Sequence, residues 1–105
     1  MNRFVTHWHG GVAVVEIEGE LGPERQTDLE RAVAGCRRVL LDLRRTRHIH
    51  YRVAARLLAL SREGLRVDVV GPNPYVRQIL RFAGALEGDL REYADLREAL
   101  EDEAA

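Results

Sequence analysis

At 105 residues, with 46% hydrophobic and 31% charged side chains and a formal net charge of −1, the sequence reads as one folded domain, long enough to bury about two-thirds of the surface its unfolded form exposes. No apolar run reaches the length of a membrane span or a signal-peptide core, so a cytoplasmic protein with no direct membrane insertion is expected. The one cysteine, Cys36, excludes an internal disulfide framework and, with no charged activator nearby in sequence, is expected to be a small buried or half-buried filler.

The opening "RFVTHWHGGVAVVEIEG" contains two strand-like runs, Arg3 to His9 and Val12 to Glu18, joined by Gly10-Gly11, a pair that accepts the positive φ angles of a tight hairpin turn. In the second run Ala13, Val15 and Ile17 keep one face apolar, while Val12 and Val14 give way to Glu16 and Glu18 on the other. A sheet covered mainly on one side is expected. Next, "ERQTDLERAVAG" spaces Leu29, Ala32 and Val33 for a helix, with Pro23 suited to a first turn and Gly35 to a terminator.

"RVLLDL" is a short apolar run of strand length, followed by a loop. From His50 or Tyr51 to about Glu63 a second helix places Val53, Ala54, Leu57 and Leu58 on one stripe and stops at Gly64, yet no Ser, Thr, Asp or Asn stands at its start. "LRVDVVG" alternates as a strand. "GPNPYVRQILRFAG" follows, with Asn73 as N-cap, Pro74 at the first helical position, Val76, Ile79 and Leu80 turned inward, and Gly84 closing the helix. A weak strand from about Asp89 to Tyr93 and a final amphipathic helix, Leu96 and Leu100 on its apolar side, complete the chain. The order β-β-α-β-α-β-α-β-α with short connections implies an α/β fold with right-handed crossovers. Its sheet is mixed and mostly parallel, with an antiparallel N-terminal hairpin strand and about four helices.

These segments resemble, in order, the STAS domain, the fold of bacterial anti-sigma factor antagonists, over roughly Arg3 to Leu100. The residues that carry the resemblance are "EGEL" after the second strand, "LLDL" followed by a loop, and "NPYVRQILRFAGAL", which is similar to the family's penultimate helix. The resemblance implies a single STAS-like domain over residues 1–105, with no cofactor, that acts as a non-catalytic protein-interaction module in signalling. In that family the loop after the third strand leads into Asp-Ser-Ser-Gly at the start of a helix, and a cognate anti-sigma factor kinase phosphorylates the second serine. Counted from "LLDL", these positions are His50, Tyr51, Arg52 and Val53, so Arg52 occupies the phosphoacceptor position, and Gly22 stands where the family often has Asp after "GEL".

The expected partner is therefore a protein: an anti-sigma factor kinase, or the ATPase of a membrane transporter such as a lipid-transport system, where phosphorylation is not needed. Sensing of a small molecule or nucleotide by the domain itself is a third reading. The expected contact surface is the loop after the third strand and the start of the next helix, with His50, Tyr51, Arg52 and Arg56 at its centre and Arg45, Arg47, Gly22 and Pro23 at its border. Arg52 and Arg56, four apart, share a helical face. Arg52 puts a permanent positive charge at the positive end of the helix dipole, a cost of roughly a few tenths of a kcal/mol that an acidic partner offsets.

The same residues bear on three other chemistries. Between Arg37 and Arg56 stand seven arginines and one acid, Asp42, whereas Glu87 to Glu103 holds eight acids against two arginines. The basic stretch suggests phosphate contacts, but the balanced net charge and the lack of interleaved aromatic residues beyond Tyr51 argue against a nucleic-acid partner. All 16 basic residues are arginine, a usage that coding bias or a hot habitat produces as readily as function. His7/His9 and His48/His50 form two His-x-His pairs, but no cysteine or specific spacing accompanies them and no metal is expected. No nucleophile-base order or glycine-rich phosphate loop suggests an enzyme.

Overall fold

Five strands, β1 (Arg3–His9), β2 (Val12–Leu21), β3 (Arg38–Ile49), β4 (Arg66–Val70) and β5 (Arg91–Tyr93), form one sheet whose spatial order is the order of the sequence. The structure, a computed structural model of the chain, describes residues 2–86 and 89–102; Glu87 and Glu103 of the acidic tail lie outside these. β1 pairs with β2 antiparallel, and each later neighbour is parallel. Gly10 and Gly11 make the hairpin with φ of 51° and 85°, angles open to glycine without a Cβ clash.

A sheet that grows by right-handed crossovers in one direction puts every crossover helix on the same face. Accordingly α1 (Gln26–Val33), α2 (Tyr51–Arg62) and α3 (Pro74–Phe82) all pack on one side. Ala13, Val15, Ile17, Leu41, Leu43, Val67 and Val69 of the sheet meet Leu29, Val53, Leu57, Val76 and Leu80 of the helices there. Leu60, not Leu58, completes the buried side of α2; Leu58 is half-buried. A 3-10 turn at Pro23–Arg25 precedes α1, so the α-helix starts at Gln26.

α4 (Leu96–Glu101) follows the last strand and has no crossover to make, and it folds onto the opposite face. There Ala99 is buried against Val12, Val14, Leu40, Val70 and Tyr93, with Leu96 partly buried. The pairing of Leu96 with Leu100 read from the sequence is corrected at Leu100, which is exposed. Six residues are too short a helix to bury two turns of one stripe when the adjoining small residue sits nearer the sheet.

Beneath α4 lies a buried ion cluster. Asp68 Oδ2 accepts from Arg38 Nε at 3.0 Å and Nη2 at 2.8 Å, and from Arg66 Nε at 3.0 Å, while its Oδ1 accepts from the Arg91 backbone N–H at 3.3 Å. Arg38 is 1% exposed. Arg66 continues to the Tyr93 hydroxyl, which donates to Asp102. That hydroxyl, together with the charges of Arg91 and Arg66, holds the Asp102 carboxyl below the usual carboxylate range.

The largest departure from the sequence reading is β3. The expected short strand "RVLLDL" and following loop are one strand of 12 residues. Its register against β2 runs Glu16↔Asp42, Glu18↔Arg45, Gly19↔Thr46 and Glu20↔His48, so β3 holds an extra residue at each of two bulges. From the first bulge onward the buried residues Leu43, Thr46 and Ile49 recur every third position instead of every second. Bulges break the period-2 alternation by which a strand is recognised. Thr46 is buried and polar because its hydroxyl donates to the Ile17 carbonyl at 2.8 Å, where the ladder is interrupted.

Candidate functional site

The C-terminal ends of parallel strands lie at one end of the sheet, where open α/β folds place their ligands. Leu21 pairs with Ile49, and the His50 backbone N–H donates to the Leu21 carbonyl at 3.0 Å. The "GELGP" turn, which contains Gly22 and Pro23, therefore lies beside the start of α2. Gly22 has an ordinary extended conformation, φ −101° and ψ 176°, and its carbonyl accepts from the Arg25 N–H at 3.0 Å to close the 3-10 turn. No loop intervenes between β3 and α2: His50 alone joins them.

His50 also supplies the missing cap. With extended φ and ψ of −76° and 142°, it turns its Nδ1 to accept from the Arg52 backbone N–H at 3.0 Å. The imidazole does what Ser or Asp does elsewhere, and it does so only with Nδ1 unprotonated and the proton on Nε2. His50→Ala is expected to lower unfolding stability by about 1 kcal/mol, and His50→Asn to restore most of it. Urea titration of both variants, with amide exchange at Arg52 and Val53, checks this.

The two arginines at the expected centre differ. Arg52 is exposed and forms no ion pair with the described residues. Arg56 spans two carboxylates of its own chain, Nη2 to Glu30 Oε1 at 2.7 Å and Nη1 to Glu63 Oε2 at 3.0 Å. It fastens α2 to α1, and its hydrogen bond holds the Glu30 carboxyl below the usual range, helped by Gln26. The carboxylates that Arg56 meets belong to its own chain.

The border residues divide as well. Arg47 is exposed and close to α3, its carbonyl accepting from Asn73 Nδ2 at 3.4 Å. Arg45 lies opposite Glu18, 3.9 Å from its carboxylate, on the sheet face away from α2. There it lines a cleft of about 220 Å³ with Arg3, Glu16, Glu18, Asp42 and Arg44. Burial works to raise the Asp42 carboxyl in this cleft, but hydrogen bonds from the Arg44 side chain and backbone outweigh it and hold it low.

Tyr75, which the sequence places at the start of a helix where it could border the contact surface, and Asn73 stand beside these residues. Tyr75, at the start of α3, stacks on His48 with ring centroids 5.3 Å apart and planes 22° from parallel. Asn73 accepts from the Val76 N–H at 2.8 Å as the α3 cap and donates to the Thr46 carbonyl at 3.1 Å, tying α3 to the second bulge of β3. The cap was legible in "NPY"; the second bond joins segments 27 residues apart and leaves no local signal.

Among the described residues no cluster of three or more His, Cys, Asp or Glu is placed to hold a metal. The two His-x-His pairs have other settings: His7 and His9 are exposed on β1, His48 is stacked and His50 is a cap. The arginines of the basic stretch disperse in space, with Arg38 on Asp68, Arg44 on Asp42 and Arg56 on Glu30. Among the described residues no helix is long and apolar enough to cross a membrane.

No family model matches the sequence, and no curated protein matches it. Solved structures do match the fold. SpoIIAA, an anti-sigma factor antagonist, in its unphosphorylated form, aligns at a TM-score of 0.79 and 18% identity over 94% of each chain. The phosphorylated form of the Bacillus cell fate determinant SpoIIAA aligns at 0.70 and 18%, over 94% of this chain and 97% of that one. An anti-sigma factor antagonist from Mycobacterium paratuberculosis aligns at 0.72 and 24%, over 96% of this chain and 92% of that one. The chain has the SpoIIAA-like STAS fold.

Proposed function

We propose that this chain is a non-catalytic protein-interaction module of cytoplasmic bacterial signalling, resembling an anti-sigma factor antagonist, whose contact does not depend on phosphorylation at position 52. One observation carries the reading. At the start of α2, where the resemblance puts the phosphoacceptor serine, stands an exposed arginine with no ion pair among the described residues. Phosphate on a serine adds close to two negative charges and so reverses the attraction of a partner; Arg52 holds one sign permanently. Its partner presents carboxylates to it, with Tyr51, His50, Arg47, Gly22 and Pro23 providing shape around the charge. An anti-sigma factor kinase is the first candidate partner. The ATPase of a membrane transporter is the second, favoured by the same arginine because such a contact needs no phosphorylation.

The test is capture of the partner on the immobilised chain from extract of the source cells, with identification by mass spectrometry and measurement of affinity. Arg52→Glu is expected to weaken binding by about tenfold or more, while Arg97→Glu, at an exposed position of α4, leaves it unchanged. Equal affinity for both variants overturns the surface.

A further inference from the structure

Three of the five large apolar side chains exposed among the described residues fall on one strip. Tyr51 is 54% exposed, Tyr75 53% and Phe82 69%. Helical phase assigns their flank. On α2, Arg56 points to α1, where it meets Glu30, and Ser61 points the other way, its hydroxyl donating to the Asp89 carbonyl at 3.2 Å. On α3, Arg77 points to β5, where it meets Glu92 at 2.7 Å. With about 100° per residue, Tyr51, Ala55 and Leu58 run along the side of α2 turned to α3, and Tyr75, Ile79 and Phe82 along the side of α3 turned to α2. Contact of Tyr75 with His48 of β3, and of Leu58 with the position a Cβ on Gly84 would occupy, 3.8 Å away, fixes the two rows side by side.

The two helices that form the strip carry one sign of charge. α2 and α3, "YRVAARLLALSR" and "PYVRQILRF", contain no acidic residue and five arginines. Arg56 and Arg77 are neutralised by close carboxylates, and Arg62 stands 3.9 Å from Asp89. Arg52 and Arg81, with Arg47 at the end of β3, form no ion pair with the described residues. An apolar strip rimmed by unpaired cations is unusual on a surface that water alone is to cover.

We propose that the seam between α2 and α3 is a docking strip for an acidic amphipathic helix of the partner, which lays its apolar residues along Tyr51, Leu58, Tyr75 and Phe82 and its carboxylates beside Arg52, Arg47 and Arg81. This names the partner chemistry of the surface proposed above and rests on that reading. The length of α3 and α2, about 13 to 18 Å, fits roughly three turns of a docked helix, with side chains three and four apart as anchors.

The probe is a synthetic helical peptide of about four turns, Leu on one face and Glu on the other, compared with its Lys counterpart. Titrated into the labelled full chain, the Glu peptide is expected to shift amides along both α2 and α3 and to bind about tenfold more tightly than the Lys peptide. Phe82→Ser, a change at an exposed position, is expected to weaken it by about tenfold. Absence of shifts with the Glu peptide, or equal binding of both peptides, overturns the strip. Unchanged binding to Phe82→Ser alongside weakened binding to Arg52→Glu also overturns it, and leaves the Arg52 surface standing. Self-association of the chain by sedimentation that Phe82→Ser abolishes makes the occupant a second copy, which equally overturns the proposal.

Discussion

Asp68→Ala is expected to lower the unfolding free energy by about 3–5 kcal/mol, the cost of removing one partner from a buried ion pair. A single carboxylate here serves two guanidiniums and a backbone N–H. Without it Arg38, 1% exposed, keeps a charge that it cannot lose and that water does not reach. Arg66 is better placed, because Tyr93 and the Asp102 carbonyl still accept from it. Urea denaturation followed by circular dichroism reads the loss as a lower midpoint at unchanged slope. The double variant Arg38→Met/Asp68→Leu is expected to recover much of it, since replacing both charges removes the uncompensated one. Stability of Asp68→Ala equal to the parent's would mean that the cluster holds nothing.

Asn73→Ala is expected to cost about 2 kcal/mol, about 1 for the lost cap and about 1 for the lost donor to the Thr46 carbonyl. Asn73→Asp separates the two, because a carboxylate keeps the cap but has no N–H to give. It is expected to retain roughly half the stability difference while releasing the start of α3 from β3. Thermal unfolding measures the first effect. Fluorescence or NMR of Tyr75, whose ring rests on His48, measures the second, and an unmoved Tyr75 in Asn73→Asp would show that the stack positions itself without the bridge.

How far the sequence discloses this molecule depends on the range of the interactions concerned. The hairpin, the three crossover helices and their order are set by neighbours a few residues apart: Gly10-Gly11, Asn73-Pro74, and the apolar spacings of α1 and α3. What escaped is tertiary. In "LRRTRHI" two bulges convert a strand's alternation into a three-residue repeat, which reads as a loop. His50 as a cap is invisible to a rule that looks for short oxygen-bearing side chains. Arg56 lies in phase with Arg52, but only the approach of α1 shows that its charge is spent on Glu30 and Glu63. Arg45, two residues from Arg47, is carried to the far face of the sheet by the bulge between Glu16 and Glu18. A candidate site drawn as a stretch of sequence thus contains residues of two different surfaces.

The agreement between strand order and chain order bears on how the molecule assembles. No strand has to insert between two that are already paired, and each helix-strand unit adds to an edge that already exists. Loop closures stay short, which favours fast formation of the sheet, and a chain emerging from its N-terminus can build it outward from the β1–β2 hairpin as synthesis proceeds. The edge that waits for the next unit is the apolar parallel one until β5, three residues long, and α4 close it.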